Sequence, residues 1–340
     1  MKKGIALLVL ILVSVFCMSA VGFSAEETEE PSTLQLLDRT ESMVFGEGRT
    51  GGLIARLTDL EISMFGRELP GSISDRQNAL INFIEKGTPA QPPMLFKLGV
   101  AEWVLNQMVF PLEPIESRIG KLEKILEGSS METKPLAMRL ERLLGLLLAE
   151  NVTWQDTEIA ESTVLKAELR ESLYPSGIKV GEQVKMILAE DLVVGTSLVA
   201  PKGSTIKAHV SKVEKPKSFG RPSQIEIAFD QLIPLGPEEI YLTRGQESEE
   251  AAKAEKAQLA AVGTSFVGAI LLGPIGLAGG FLVRGDAKEI PQGTQVYVQT
   301  SELVRVSSYP VPPGLQGMIA EKDEEAVSDD LFEGMEEATQ

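Results

Sequence analysis

Residue types that carry most enzyme chemistry are scarce in this chain. Its 340 residues hold one His, His209, and one Cys, Cys17. A lone His cannot form a His–His metal pair within one chain, and Cys17 lies in an N-terminal apolar run. If that run is removed, disulfides, Cys-rich zinc sites and thiol catalysis go with it. No phosphate-binding loop, nucleophile elbow or HExxH motif occurs. A Ser-His-Asp triad would need His209, which falls in an alternating, strand-like pattern and reads as a structural residue. With 49 acids, paired carboxylates carry little information, so carboxylate-based hydrolysis stands only as an alternative. The expectation is therefore no catalytic residue, no metal ligand and no cofactor.

The polar residues that do keep a fixed spacing are Arg and Glu. Arg56, Arg76, Arg118 and Arg139 share one slot with Lys97, and Glu41, Glu61, Glu102 and Glu123 share another. Both slots belong to a repeat over residues 33–150. Apolar residues recur at offsets 0, 4, 7 and 11, as in Ile115, Ile119, Leu122, Leu126 and Leu136, Leu140, Leu143, Leu147. Units begin at 33, 53, 73, 94, 115 and 136. Ser32, Ser72, Pro93, Pro114 and Pro135 precede units as helix-start signals, and Gly46, Gly66 and Gly128 stand where a helix C-cap belongs. Each unit predicts one short amphipathic helix plus a loop. The Gly and Pro punctuation argues against a continuous coiled coil. The Arg and Glu recur too regularly for one active site. They predict either a scaffold with solvated charges or a partner-binding face.

The net charge of −17 argues against nucleic acid, where affinity comes from neutralising phosphates. At 43 % apolar content the chain can build real cores. Lys2 and Lys3 before an uncharged run to Ala25 predict a signal peptide over 1–25, or alternatively an uncleaved anchor. Phe16 before Cys17 disfavours lipidation. These features predict an exported protein of the periplasm or cell envelope. Residues 307–340 read as an acidic disordered tail, with nine acids and one Lys from Glu321 onward.

Residues 151–177 read as a helical connector. From residue 178 the period becomes two: Val184, Met186, Leu188; Ile206, Ala208, Val210; Ile225, Ile227, Phe229; Ile240, Leu242; Val296, Val298. Short strands with turn signals predict a small antiparallel β-barrel over 178–306. Two turns echo each other: Pro201 and Gly203 feed the Ile206 strand, and Pro291 and Gly293 feed the Val296 strand. Between the last strands lies an apolar, Gly-rich insert, 257–283, with Gly263, Gly268, Gly273, Pro274, Gly276, Gly279 and Gly280. It reads as a helical hairpin that oligomerises or enters a membrane. The alternatives are a single span and a helical pair buried on the protein itself.

The stretch Leu198–Leu242 resembles the β-barrel of the conjugal-transfer TrbI-like family, scaffold subunits of type IV secretion complexes. Pro201-Lys202-Gly203-Ser204, Gly220-Arg221 and Ile225–Phe229 carry the resemblance, which extends over about residues 180–306. It implies a barrel with a late apolar insert that helps form an outer-membrane pore. The repeats, best seen in Arg56-Leu57, Leu60-Glu61 and Phe65-Gly66, resemble only uncharacterised bacterial envelope proteins.

The fold class expected is α+β: an array of short helices, then a barrel carrying a Gly-rich hairpin. The function expected is that of a non-enzymatic envelope scaffold or interaction protein. Its partners would be envelope proteins or further copies of itself, with membrane contact through 257–283. A subunit of a secretion or conjugation complex is the second reading, and an exported carboxylate hydrolase the third.

Overall fold

The computed structural model describes residues 31–174, 177–214, 224–261 and 290–319. The signal segment, Gly220-Arg221, all the named glycines and the proline of the insert, and the acidic run from Glu321 lie outside them.

Six helices come first: α1 (Thr33–Phe45), α2 (Leu53–Phe65), α3 (Ile73–Ile81), α4 (Met94–Asn106), α5 (Ile115–Glu127) and α6 (Leu136–Leu147). Every one starts at the residue the repeat predicts. The caps explain why. Ser72 and Asp75 form a reciprocal capping box at the start of α3. Gly66 ends α2 at φ +75° and Gly128 ends α5 at φ +78°. A Cβ on Gly66 would also lie 2.9 Å from Cγ of Pro135, the residue that opens α6. The offset 4 and 7 positions of α2, α5 and α6 (Leu57, Leu60, Ile119, Leu122, Leu140 and Leu143) are buried in one core. Helix α4 is apolar around most of its circumference, and Phe96, Leu98, Val100 and Trp103 are all buried. A helix of that kind belongs inside rather than on a surface.

The strands are β1 (Gln155–Ile159), β2 (Val164–Leu169), β3 (Gln183–Leu188), β4 (Leu192–Val194), β5 (Ser197–Ala200), β6 (Thr205–Glu214), β7 (Gln224–Leu232), β8 (Ile240–Thr243), β9 (Gln295–Thr300) and β10 (Val304–Pro310). Helix α7 (Gln246–Ala261) lies between β8 and β9. Strands β2-β3-β6-β7-β8-β9 close a six-stranded barrel, and β1-β10-β5-β4 form a separate sheet. The sheet has two apolar faces. Leu198 and Tyr309 join the helical core, whereas Ile159, Val199 and Val306 join the barrel core. All four residues of β5 are buried, as a strand covered on both sides requires.

Two expected boundaries are corrected. The segment 151–177 is not a helical connector but holds β1 and β2. Its Glu, Ala, Leu and Lys favour a helix, yet Leu165, Ala167 and Leu169 alternate inward while β2 pairs with β3 and β9. Tertiary pairing overrides local propensity there. The expected tail likewise starts too early. Residues 307–310 belong to β10, which pairs with β1 and β5, and Tyr309 and Val311 are buried. The acidic run that marks a tail begins only at Glu321.

Candidate functional site

The repeat's Arg and Glu are buried, which corrects the expectation of solvated charges. Each Glu near the middle of one helix meets the Arg in the first turn of the next. Arg56 pairs with Glu41, Arg76 with Glu61, Arg118 with Glu102 and Arg139 with Glu123. The geometry is two-pronged. Arg139 Nε donates to Glu123 Oε1 at 2.9 Å and Nη2 to Oε2 at 2.7 Å. Each carboxylate then accepts a third bond, from the backbone N–H eight residues ahead: Arg49, Leu69, Phe110 and Met131. One clamp thus closes a helix, its loop and the next helix together. Burial alone would raise the Glu123 carboxyl, but the Arg139 guanidinium and the Met131 N–H hold it below its ordinary value. The hydrogen bonds that Arg56 donates to Glu41 and Asp38 hold its guanidinium above the ordinary value.

The joint between α3 and α4 differs. Ile81 stands in the Glu slot, a π-helical turn follows at Asn82–Lys86, and Lys97 bonds Glu141 of α6 at 2.6 Å instead.

The barrel's two echoing turns are alike in detail. Gly203 N–H donates to the Leu188 carbonyl and Gly293 N–H to the Leu169 carbonyl, both at 2.8 Å. Both glycines have positive φ, +91° and +82°. They differ in surroundings. A Cβ on Gly203 would collide with the Val109 carbonyl oxygen, whereas nothing lies within 4 Å of one on Gly293. At Gly203 the barrel meets the helical array, because the Val109 N–H donates to the Lys202 carbonyl at 2.8 Å. Asp191 strengthens that seam by accepting from Trp103 Nε1 at 3.0 Å and from the Lys202 N–H at 2.6 Å.

A cavity of about 420 Å³ lies at this seam, lined among others by Leu95, Val109, Pro114, Leu235, Ser204 and Arg118. A hydrolase at the array–barrel junction would need two carboxylates at catalytic separation there. Among the described residues lining this cavity, Glu113 is the carboxylate, and it is bonded to Lys121 at 2.6 Å.

Helix α7 is anchored to the barrel. Ser248 N–H donates to Gln299 Oε1 at 3.0 Å, Ala252 is buried, and Glu255 accepts from Lys166 at 3.1 Å. Burial would lower Lys166, but Tyr297, Glu255 and Glu190 raise it. Strand β9, beyond the insert, pairs with β8 and β2. The chain therefore leaves the barrel after β8 and rejoins it at β9. Among the described residues no helix is long and apolar enough to cross a membrane.

His209 Nδ1 lies 2.9 Å from Asp230 Oδ2, while the nearby Ser211 hydroxyl donates to the Glu226 carbonyl. Among the described residues no group of three His, Cys, Asp or Glu could hold a metal ion.

Asp191, Trp103 and the Lys166–Glu255 pair escaped sequence reasoning. For Trp103 a signal existed. Its repeat slot holds Ser42, Ile62, Asn82, Lys124 and Gly145 in the other units, so the aromatic ring stands out.

No family model matches the chain. No curated protein matches it either. Among solved structures, the chain is similar to ComB10 of the Com type IV secretion system of Helicobacter pylori. Identity is 15 % and the TM-score 0.23, with 46 % of this chain and 92 % of that chain covered. The likeness is weak and partial, and at that level this chain's own residues carry the functional reading.

Proposed function

We propose that this protein is an exported, non-enzymatic scaffold of the bacterial cell envelope, acting through self-association or membrane contact of its Gly-rich insert. The observation that carries the reading is the set of buried Arg–Glu clamps. The charged residues with regular spacing pair with one another and hold helices together. The anchoring of α7 supports the second part, because a fixed helix leads the chain into the insert. The signal-like N-terminus supports export. Partners on this reading are other copies or envelope proteins.

The test compares the full chain with a Gly268→Asp, Gly276→Asp variant, whose charges oppose both insertion and close packing, by sedimentation and by flotation with phospholipid vesicles. The wild type is expected to associate or float, and the variant to do neither. Two chains that are both monomeric and both absent from the vesicle fraction would refute the reading. A second reading, a subunit of a secretion or conjugation complex, is favoured by the closed barrel with an insert before its last strand. Cross-linking in cells that yields a ring-sized multi-protein species would select it.

A further inference from the structure

A second cavity, of about 660 Å³, lies close to the last described residues. Leu147 and Leu148, from the end of α6, line it together with Tyr309, Val311, Pro312 and Leu315, from β10 and the stretch after it. Among the described residues lining it, Glu150 alone is charged. Burial and the Glu150 charge push the Tyr309 hydroxyl up to about 12, so Tyr309 is neutral. Residues 317–319 are helical, Met318 and Ile319 pack on the helical core, and Ile319 is the last described residue. Residues 321–340 hold nine acids and one Lys, yet their larger apolar residues are not scattered. Val327, Leu331 and Met335 stand four apart and Phe332 precedes Met335 by three, the spacing of one helix face. Anchors at such spacings are what an amphipathic helix lays into an apolar groove.

We infer that this cavity is the docking groove for the chain's own residues 327–335, with Val327, Leu331, Phe332 and Met335 filling it and the acids between them left in water. Position along the chain selects this occupant. Leu315 lines the groove, and Val327 follows it by 12 residues. At up to about 3.3 Å per residue, that length is enough to turn back into the groove. So short a tether holds the segment at an effective concentration on the order of millimolar, and a modest apolar contact then suffices. Charge selects the orientation. Glu150 repels the segment's acids, so the apolar face is the one that enters. The contact does not involve the Gly-rich insert and stands apart from the scaffold reading.

The test is amide hydrogen exchange on the full chain, read by mass spectrometry. Residues 327–335 are expected to exchange about tenfold more slowly than in a Leu331→Asp, Phe332→Asp variant, because ordered amides are protected. Ala149→Trp, at an exposed lining position, should abolish that protection by filling the groove. Exchange in the helical core should stay unchanged in both variants, which separates a blocked groove from a misfolded chain. Protection should also be the same at high and low protein concentration. Residues 327–335 exchanging as fast in the wild type as in the double variant, protection that survives Ala149→Trp, or protection lost on dilution (a second copy's segment in the groove) would each overturn the proposal.

Discussion

The helical array and the barrel join short elements by different means. In the array, four of the five joints are closed by a charged side-chain pair, as at Glu123 and Arg139. In the barrel, joints are closed by backbone, as where Gly203 and Gly293 N–H groups bond the ends of β3 and β2. A buried ion pair is costly to desolvate and costlier to break, whereas a ladder of backbone bonds spreads its cost over many residues. The array therefore depends on a few particular side chains, and the barrel on a few particular backbone angles.

That contrast can be broken most sharply at a clamp. Arg139→Ala leaves Glu123 buried without its partner and should cost about 3–5 kcal/mol in urea unfolding. Replacing both residues with apolar ones should recover part of the loss, but not all. The Met131 N–H would remain without its acceptor, a cost of about 1–3 kcal/mol. The barrel's counterpart is Gly203→Ala, expected to cost about 1–3 kcal/mol through its positive φ, with the Val109 contact placing it near the top of that range. Gly293→Ala in the matching turn has the same φ problem and open space, so it should fall near the bottom of the range. Equal losses at the two glycines would show that Val109 does not press on the turn. The α3–α4 joint sharpens the comparison from the other side. Glu141 is half-exposed, and Glu141→Gln should cost only about 0.2–1 kcal/mol.

Acidification gives the smallest effect. The Glu123 carboxyl sits below its ordinary value in the folded state, so its contribution is complete above the ordinary carboxylate range. It is lost as pH falls through the depressed folded value. Stability measured by urea titration should therefore hold down to about pH 4.3 as far as this group is concerned, then decline. Glu123→Gln should flatten that decline.

Much of this plan is readable in the residues, and the failures have physical reasons. Helix starts are legible because the caps, the prolines and the apolar period agree at each unit. The barrel strands are legible because Ile206, Ala208 and Val210 alternate cleanly. The clamps were legible in position but not in burial. The Glu slot, offset 8, follows offset 4 by one helical turn and so faces the core, yet charge alone reads as solvated. Strands β1 and β2 were hidden because Asp156–Leu173 is rich in helix formers, and pairing with β3 and the distant β9 and β10 makes them strands. The seam was hidden for a similar reason. Trp103 and Asp191 meet across 88 residues, and no local spacing records that.

The sheet shared by the two cores has a thermodynamic consequence. Leu198 of β5 is packed with the helices while its neighbour Val199 is packed with the barrel, so neither core can open without uncovering one face of the same strand. Array and barrel are therefore expected to melt together in one cooperative transition, a single calorimetric endotherm, despite their unlike architectures. A defect in any one clamp would then be felt as a lower melting temperature of the whole described fold, barrel included.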